Sequence, residues 1–338
     1  MALDADLEAL LKKRFPEMDH FRILKKSIDA RKKQKLHWVY NIEIFKKNEK
    51  PLSQLPDLKK IKTEERPIIV GTGPAGLFAA LRLAEQGVPS DIFERGSACD
   101  KRILAINRFW RYGEHNPNDN VCFGEGGAGL YSDGKLITRI KSPHIPYVMD
   151  RLVDFGAPPE VAYLGNPHIG SNKIRRLLPK LRQKLLALGC QIHFNQPIED
   201  FLFSGSQITG VQLASGEIRH SSHVILATGH SAEDIFQKLH HHGVALEPKA
   251  FALGLRVEHP QGWVNEIQHR EFAGHPELGA ANYKLAYHNK REAVGVYSFC
   301  MCPGGYVLSS GTENNRLVTN GMSNFNRGSR YANAAIVV

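Results

Sequence analysis

The chain has 338 residues, of which 42% are hydrophobic and 23% charged, with a formal net charge of +10. That length supports two or three domains with cores of their own, and that composition excludes a disordered protein. No apolar run approaches the roughly 20 residues of a membrane-spanning helix, and five thinly spread cysteines exclude a secreted disulfide framework, so a cytoplasmic protein without a membrane anchor is expected.

The N-terminus, "MALDADLEALLKKRF", carries acids early and lacks the basic start and apolar core of a signal peptide. Its spacing predicts a helix over Leu7–Phe15. "FRILKKSIDARKKQKLHWVYNIEIF" then reads as two strand-like runs about a basic middle, the second over Leu36–Phe45. Residues 1–60 are expected to form a small basic α+β domain. Its lysines and arginines are interspersed with acids, so a solvated face is the plain reading and nucleic-acid contact the sharper one. "KKNEKPLSQLPDLKKIKTEERP", with three prolines, reads as a linker.

"IIVGTGPAGLFAALRLAEQG" follows, from Ile68 to Gly87. It reads as a strand, a glycine turn and a helix. Gly71 permits the tight turn, Gly73 lets backbone approach a pyrophosphate, and Gly76 lets the helix pack on the sheet. Pro74 and Ala75 open a helix whose N-terminal N–H groups and dipole favour phosphate. Asp91–Glu94 is the next strand, and Glu94 stands where such units hold a ribose.

A helix is expected over Asn172–Gly189, with Pro179 a kink, and then a third strand in "CQIHFN". "PIEDFLFSGSQITGVQLASGEIR" has the short alternating runs of an antiparallel meander, and "HVILATGH" is one more buried strand. "FALGLRVEH", "ANYKLAYH", "AVGVYSFCMCPGGYVLSS" and "RLVTNGMS" are mostly strand-like and imply a second, β-rich unit. A second GxGxxG match, "GEGGAG" at 124–129, lacks a good strand before it and a helix after it. It reads as a glycine loop whose backbone, at Gly126, Gly127 and Gly129, passes close to something flat or anionic.

The long gap after the second strand, the meander and the "ATG" of Ala227, Thr228 and Gly229 resemble the FAD domain of glutathione-reductase-type flavoproteins, as does the segment Glu94-Arg95-Gly96. "FGEGGAGLYSDGKLITR", "NYKLAYH", "YSFCMCPGGYV", "NGMS" and the N-terminal "RFPEMDHFRILKKSIDARKKQKLHWVYNIEI" together resemble an uncharacterised bacterial family of FAD-dependent dehydrogenases. The resemblance covers nearly the whole chain. It implies an α/β fold: a small N-terminal domain (1–60), a Rossmann-like FAD domain (61–240), an inserted β-rich substrate domain (241–326), and the start of an incomplete return to the FAD domain (327–338). The family normally closes with a strand and a helix that this sequence, ending in "NAAIVV", does not show, so a truncated chain is the expectation.

FAD is the implied cofactor, with an unknown small-molecule substrate and NAD(P)H as a transient electron donor. The cofactor contacts expected are Gly71, Gly73, Pro74, Ala75, Gly76, Glu94, Gly126, Gly127, Gly129, Thr228 and Gly229. Arg95 and Arg102 stand as basic contacts, and Gly304 and Gly305 as a close backbone approach to the flavin. The alternatives are a flavoprotein scaffold that only binds a partner, and a flavin-linked protein working on RNA. For chemistry the candidates are His168, before the long helix, and Cys300 and Cys302 in "CMCPGG". The CxC is expected to be structural, two small buried side chains before a glycine turn. No metal-ligand spacing stands out.

Overall fold

In the computed structural model the described residues are 5–29, 36–49, 61, 63–138, 140–313 and 316–338. The basic middle at 30–35 and most of the expected linker lie outside them.

The N-terminal part comprises helix α1 (Leu7–Arg14) and strands β1 (His20–Asp29) and β2 (His37–Phe45). Asp6 caps α1 by accepting from the N–H groups of Glu8 and Ala9. The strands form an antiparallel pair in the register His20 to Phe45. This pair docks through Lys26, whose N–H donates to the Tyr163 carbonyl (2.7 Å) while its carbonyl accepts from Gly165 (2.8 Å).

The α/β part runs β3 (Ile68–Val70), α2 (Pro74–Glu85), β4 (Asp91–Phe93), α3 (Cys99–Tyr112), α4 (His144–Asp154), α5 (Ser171–Ala187), β5 (Gln191–His193), β6 (Ile198–Ser204), β7 (Gln207–Leu213), β8 (Ile218–His220), β9 (Val224–Leu226) and α6 (Glu233–His241). Strands β5-β4-β3-β9 make a parallel sheet, and β6-β7-β8 the expected antiparallel meander. Side chains of a strand alternate between faces, and here the two faces have separate cores. Ile69 and Ile92 pack with Leu77, Leu81, Leu181 and Leu185 of α2 and α5. Ile68, Val70 and Phe93 pack with Phe201, Val211, Ile235 and Leu239 of the meander and α6. The sheet is therefore the middle layer of three, in a Rossmann-type arrangement. Its order reverses beside β3, which places a crevice at the carboxyl ends of β3 and β9.

The remaining elements are β10 (Gly254–Pro260), α7 (Gln261–His269), β11 (Ala286–Asn289), β12 (Val294–Cys302), β13 (Tyr306–Ser309), β14 (Thr319–Met322) and β15 (Tyr331–Val337). They form a four-stranded antiparallel sheet, β10-β15-β12-β11, and a β13-β14 pair. Residues 327–338 thus do not return to the parallel sheet. "YANAAIV", apolar except for the buried Asn333, gains two sheet neighbours here, as interior strand β15 between β10 and β12.

Candidate cofactor cavity and a second polar cluster

Gly71 leaves β3 at φ +107°, and a Cβ there would lie 2.5 Å from the Ala227 carbonyl oxygen at the end of β9. A Cβ on Gly76 would lie 2.0 Å from the Gly71 oxygen. These two glycines close the turn and seat α2. Gly73 is different: a Cβ on it would meet nothing nearer than Gly127 Cα at 4.0 Å. It caps α2 in an extended conformation, with Pro74 at the first helical position. The N–H groups of a helix's first turn have no intrahelical partner, so they point outward here.

Glu94, at the end of β4, is 5% exposed. One carboxylate oxygen accepts from the Thr72 N–H (2.8 Å) and hydroxyl (2.7 Å). The other accepts from the N–H groups of Gly96 and Gly124, both at 2.9 Å. Four donors fill a carboxylate's lone-pair sites. Glu94 therefore joins the first glycine turn to the second glycine loop. That loop enters a 3₁₀ turn at Gly127–Tyr131 and donates from Gly126 N–H to the Thr72 carbonyl (2.9 Å).

Arg102 of α3 is fully buried and organises the same loop from behind. Its guanidinium donates to the carbonyls of Asn120, Val121, Gly124, Glu125 and Gly127, at 2.7–3.3 Å. The expectation that Arg102 contacts a cofactor is corrected: its donors go to the loop carbonyls and it does not line the cavity described next. Gly126 is corrected likewise, since a Cβ there would press on Leu178 of α5 at 2.6 Å.

A cavity of about 540 Å³ opens at the carboxyl ends of β3, β4 and β9. Gly71, Gly73, Pro74, Ala75, Glu94, Arg95, Gly127, Gly129, Thr228 and Gly229 line its polar part, and Phe93, Phe123, Ile198 and Leu239 an apolar part. Arg95 is fixed at its wall by a two-point ion pair with Asp234 of α6 and lies 4.5 Å over the Phe123 ring. Asp234, Phe123 and Gln196 carried no signal in the sequence. Phe123 and Gln196 reach the cavity through the placement of the 120–124 loop and the meander, and Asp234 acts on it only through Arg95.

His168, Cys300, Cys302, Gly304 and Gly305 do not line this cavity. They gather at a second cluster around Asp133, which is 1% exposed. Arg327 donates twice to its carboxylate (2.6 and 3.2 Å), Lys135 lies at 2.8 Å, and the Ser323 hydroxyl also donates to it. Burial alone would raise the Asp133 carboxyl, but Arg327 and Lys135 outweigh it and hold it below the usual carboxylate range. His168 stacks on Phe325 with centroids 5.4 Å apart, and its Nε2 lies 2.8 Å from the Phe325 carbonyl. Burial and Arg327 push its pKa down. The flavin approach expected of Gly304 and Gly305 is corrected too. A Cβ on Gly304 would sit 1.7 Å from the Arg327 oxygen and one on Gly305 2.6 Å from the Met322 oxygen, so both glycines admit neighbouring backbone.

One group of possible metal ligands occurs among the described residues: Cys99, Asp100 and Glu125, with ligand atoms within 4.8 Å of one another. Arg182 stands 3.5 Å from Asp100 and 3.4 Å from Glu125, so a guanidinium already supplies the positive charge there. Burial and Glu125 push the Cys99 thiol up to about 12. No helix among the described residues is long and apolar enough to cross a membrane.

An uncharacterized protein of Clostridium beijerinckii is 39% identical over 361 aligned positions, which cover 100% of this chain and 68% of that protein. Residues 161–277 match the family described as FAD dependent oxidoreductase, and residues 250–338 the one described as FAD-dependent protein, C-terminal domain-like. The chain belongs to this family of FAD-dependent oxidoreductases. Residues 3–45 match a domain of unknown function. Solved structures with partial likeness include L-amino acid deaminase from Proteus myxofaciens in complex with anthranilate (15% identity, 60% of this chain and 52% of that one, TM-score 0.34). THI4 of Thermovibrio ammonificans is 17% identical over 54% of this chain and 64% of that one (TM-score 0.35). CtdE in complex with FAD is 15% identical over 81% of this chain and 59% of that one (TM-score 0.34). The chain thus spans less than two thirds of each of these three.

Proposed function

We propose that the chain binds the adenosine and pyrophosphate end of FAD in the 540 Å³ cavity and serves an oxidoreductase that moves a hydride between the flavin and a small-molecule substrate. The observation that carries this reading is Gly73. It is the glycine of the first turn with open space in front of it, at the N-terminus of α2 and at the carboxyl edge of a parallel sheet. A phosphate there meets unpartnered N–H groups and the positive end of the helix dipole.

The residues fit the group. Backbone at Gly73 and Gly127 gives a cradle that any side chain would fill, and Thr228 and Gly229 form its far wall. Glu94 sits at the ribose position with its four donors already in place, so a ribose hydroxyl would share or displace the Gly96 or Gly124 N–H. Arg95, held by Asp234, lends a cation to the mouth. When bound, the flavin supplies reversible two-electron chemistry, and the chain's own part is to hold and orient it. Residues 61–240 are assigned to the cofactor and residues 241–326 to the substrate. NAD(P)H is the proposed transient donor.

The test is a fluorescence titration of the full chain with FAD, alongside Gly73→Val. A valine there fits the folded protein but occupies the phosphate's approach, so affinity should fall by about tenfold or more, the loss of one to two charge-assisted hydrogen bonds. Equal affinity in the two proteins would overturn the assignment.

A further inference from the structure

The CxC of β12, expected from its sequence to be two small buried side chains before a glycine turn, lies in an irregular stretch of its strand. The β12–β15 register runs Phe299 to Ala335 and then Cys302 to Asn333, so β12 carries one extra residue, a bulge at Cys300 and Met301. Cys300 holds φ +46°, a region that a residue with a side chain adopts at a cost. Two cations offset that cost. Arg256 donates to the Cys300 carbonyl (3.3 Å) and Lys135 to the Met301 carbonyl.

The bulge brings the two thiols together. Cys302, fully buried, has its Sγ 3.3 Å from the Cys300 carbonyl oxygen, close enough for the two thiols to interact. Cys300, by contrast, is only half-buried. Lys135 and Arg256, bound to the Met301 and Cys300 carbonyls, put positive charge near its sulfur, with Asp133 the opposing acid. The interaction with Cys302, then the two cations, outweigh burial and lower Cys300 to about 6, while the same interaction, followed by burial, pushes Cys302 strongly upward. The other thiols are differently placed. Cys99, Cys122 and Cys190 are each pushed up by burial.

We propose that Cys300 and Cys302 form a peroxide-reactive dithiol site, with Cys300 the attacking thiolate and Cys302 the resolving thiol. The Cys300 sulfur attacks one oxygen of a hydroperoxide and the O–O bond breaks. The leaving hydroxide or alkoxide takes a proton, and Cys300 becomes a sulfenic acid. Cys302 then loses its proton and attacks the Cys300 sulfur, the S–O bond breaks, and water leaves with that proton. The products are one disulfide, one water and one water or alcohol. Two thiols have lost two electrons and the peroxide has gained them. The site needs no flavin, so its test is independent of the FAD assignment.

The experiment treats the full-length chain with a limiting amount of hydrogen peroxide and maps the cysteines by mass spectrometry. The expected result is a Cys300–Cys302 disulfide in the wild type. Cys302→Ser should instead trap a dimedone-reactive sulfenic acid at Cys300. Cys122, half-buried in the same molecule, is the internal reference. At neutral pH, Cys300 should alkylate with iodoacetamide about tenfold faster, because its larger thiolate fraction outweighs its lower intrinsic nucleophilicity. The proposal is overturned if Cys300 alkylates no faster than Cys122, or if peroxide leaves the 300–302 pair reduced.

Discussion

Gly73 and Gly304 both sit in glycine turns that follow a strand, yet a side chain at each would meet different surroundings. A Cβ on Gly73 would face the cavity, with Gly127 Cα at 4.0 Å; one on Gly304 would overlap the Arg327 carbonyl at 1.7 Å, with φ already at +47°. The first glycine keeps space for something that is not protein. The second lets two stretches of the chain touch. Glycine spacing alone does not separate these roles, because both demand the same missing side chain.

Substitutions test the distinction. The largest effect on stability is expected from Gly304→Val, where backbone overlap and a forbidden φ combine: a loss beyond about 4 kcal/mol, seen as insoluble or unfolded protein in circular dichroism. Arg102→Met should follow, at about 3–5 kcal/mol by urea denaturation, because five loop carbonyls lose their donor inside the fold. Asp133→Asn should cost about 3 kcal/mol at neutral pH, since Arg327 and Lys135 are left without a counter-charge. Its pH dependence carries a sign. The Asp133 carboxyl is held below its unfolded-state value, so its stabilisation is present above that value and disappears as pH falls through the lower, folded one. Wild type should therefore lose more stability than Asp133→Asn on acidification below about pH 4.

Glu94→Ala belongs between the two glycines. It should cost about 2–4 kcal/mol, because the N–H groups of Thr72, Gly96 and Gly124 lose their acceptor, and it should weaken FAD binding as well. Gly73→Val should change the melting transition least, by less than about 1 kcal/mol, while lowering FAD affinity by about tenfold or more. A Gly73→Val protein that fails to fold would break the comparison, since the space before Gly73 would then be needed by the chain itself.

The legible parts of the sequence were those fixed by local pattern. Ile68–Val70, the glycine turn, Pro74–Glu85 and Asp91–Phe93 fall within a residue or so of their expected places, because apolar period and glycine spacing act over a few residues. The meander, α5 and the N-terminal strand pair were equally readable. Helix α3 was not, because its buried face is Cys99, Arg102 and Ile106, and a buried arginine breaks the apolar stripe. Arg102 earns its place from carbonyls 18–25 residues downstream, a relation no window reports. The same holds for Arg95 with Asp234 and for Asp133 with Arg327, pairs joined only by the folded chain. The β12 bulge was hidden too, since it exists only against the register of β15.

The position of β15 also sets a schedule. Among the described strands, β10 pairs with β15 alone, Pro260 opposite Tyr331 and Gly254 opposite Val337. A ribosome adding about 5–20 residues per second needs on the order of 4–16 s to make the partner after β10 has been made. The parallel sheet, whose last strand is β9, has all its members before that interval begins. During it, β10 carries Leu255 and Val257 on an unpaired edge, the kind of segment that seeks other chains. Newly made protein is therefore most exposed to misassembly while its parallel-sheet layer is already built, with residues 254–260 as the exposed edge.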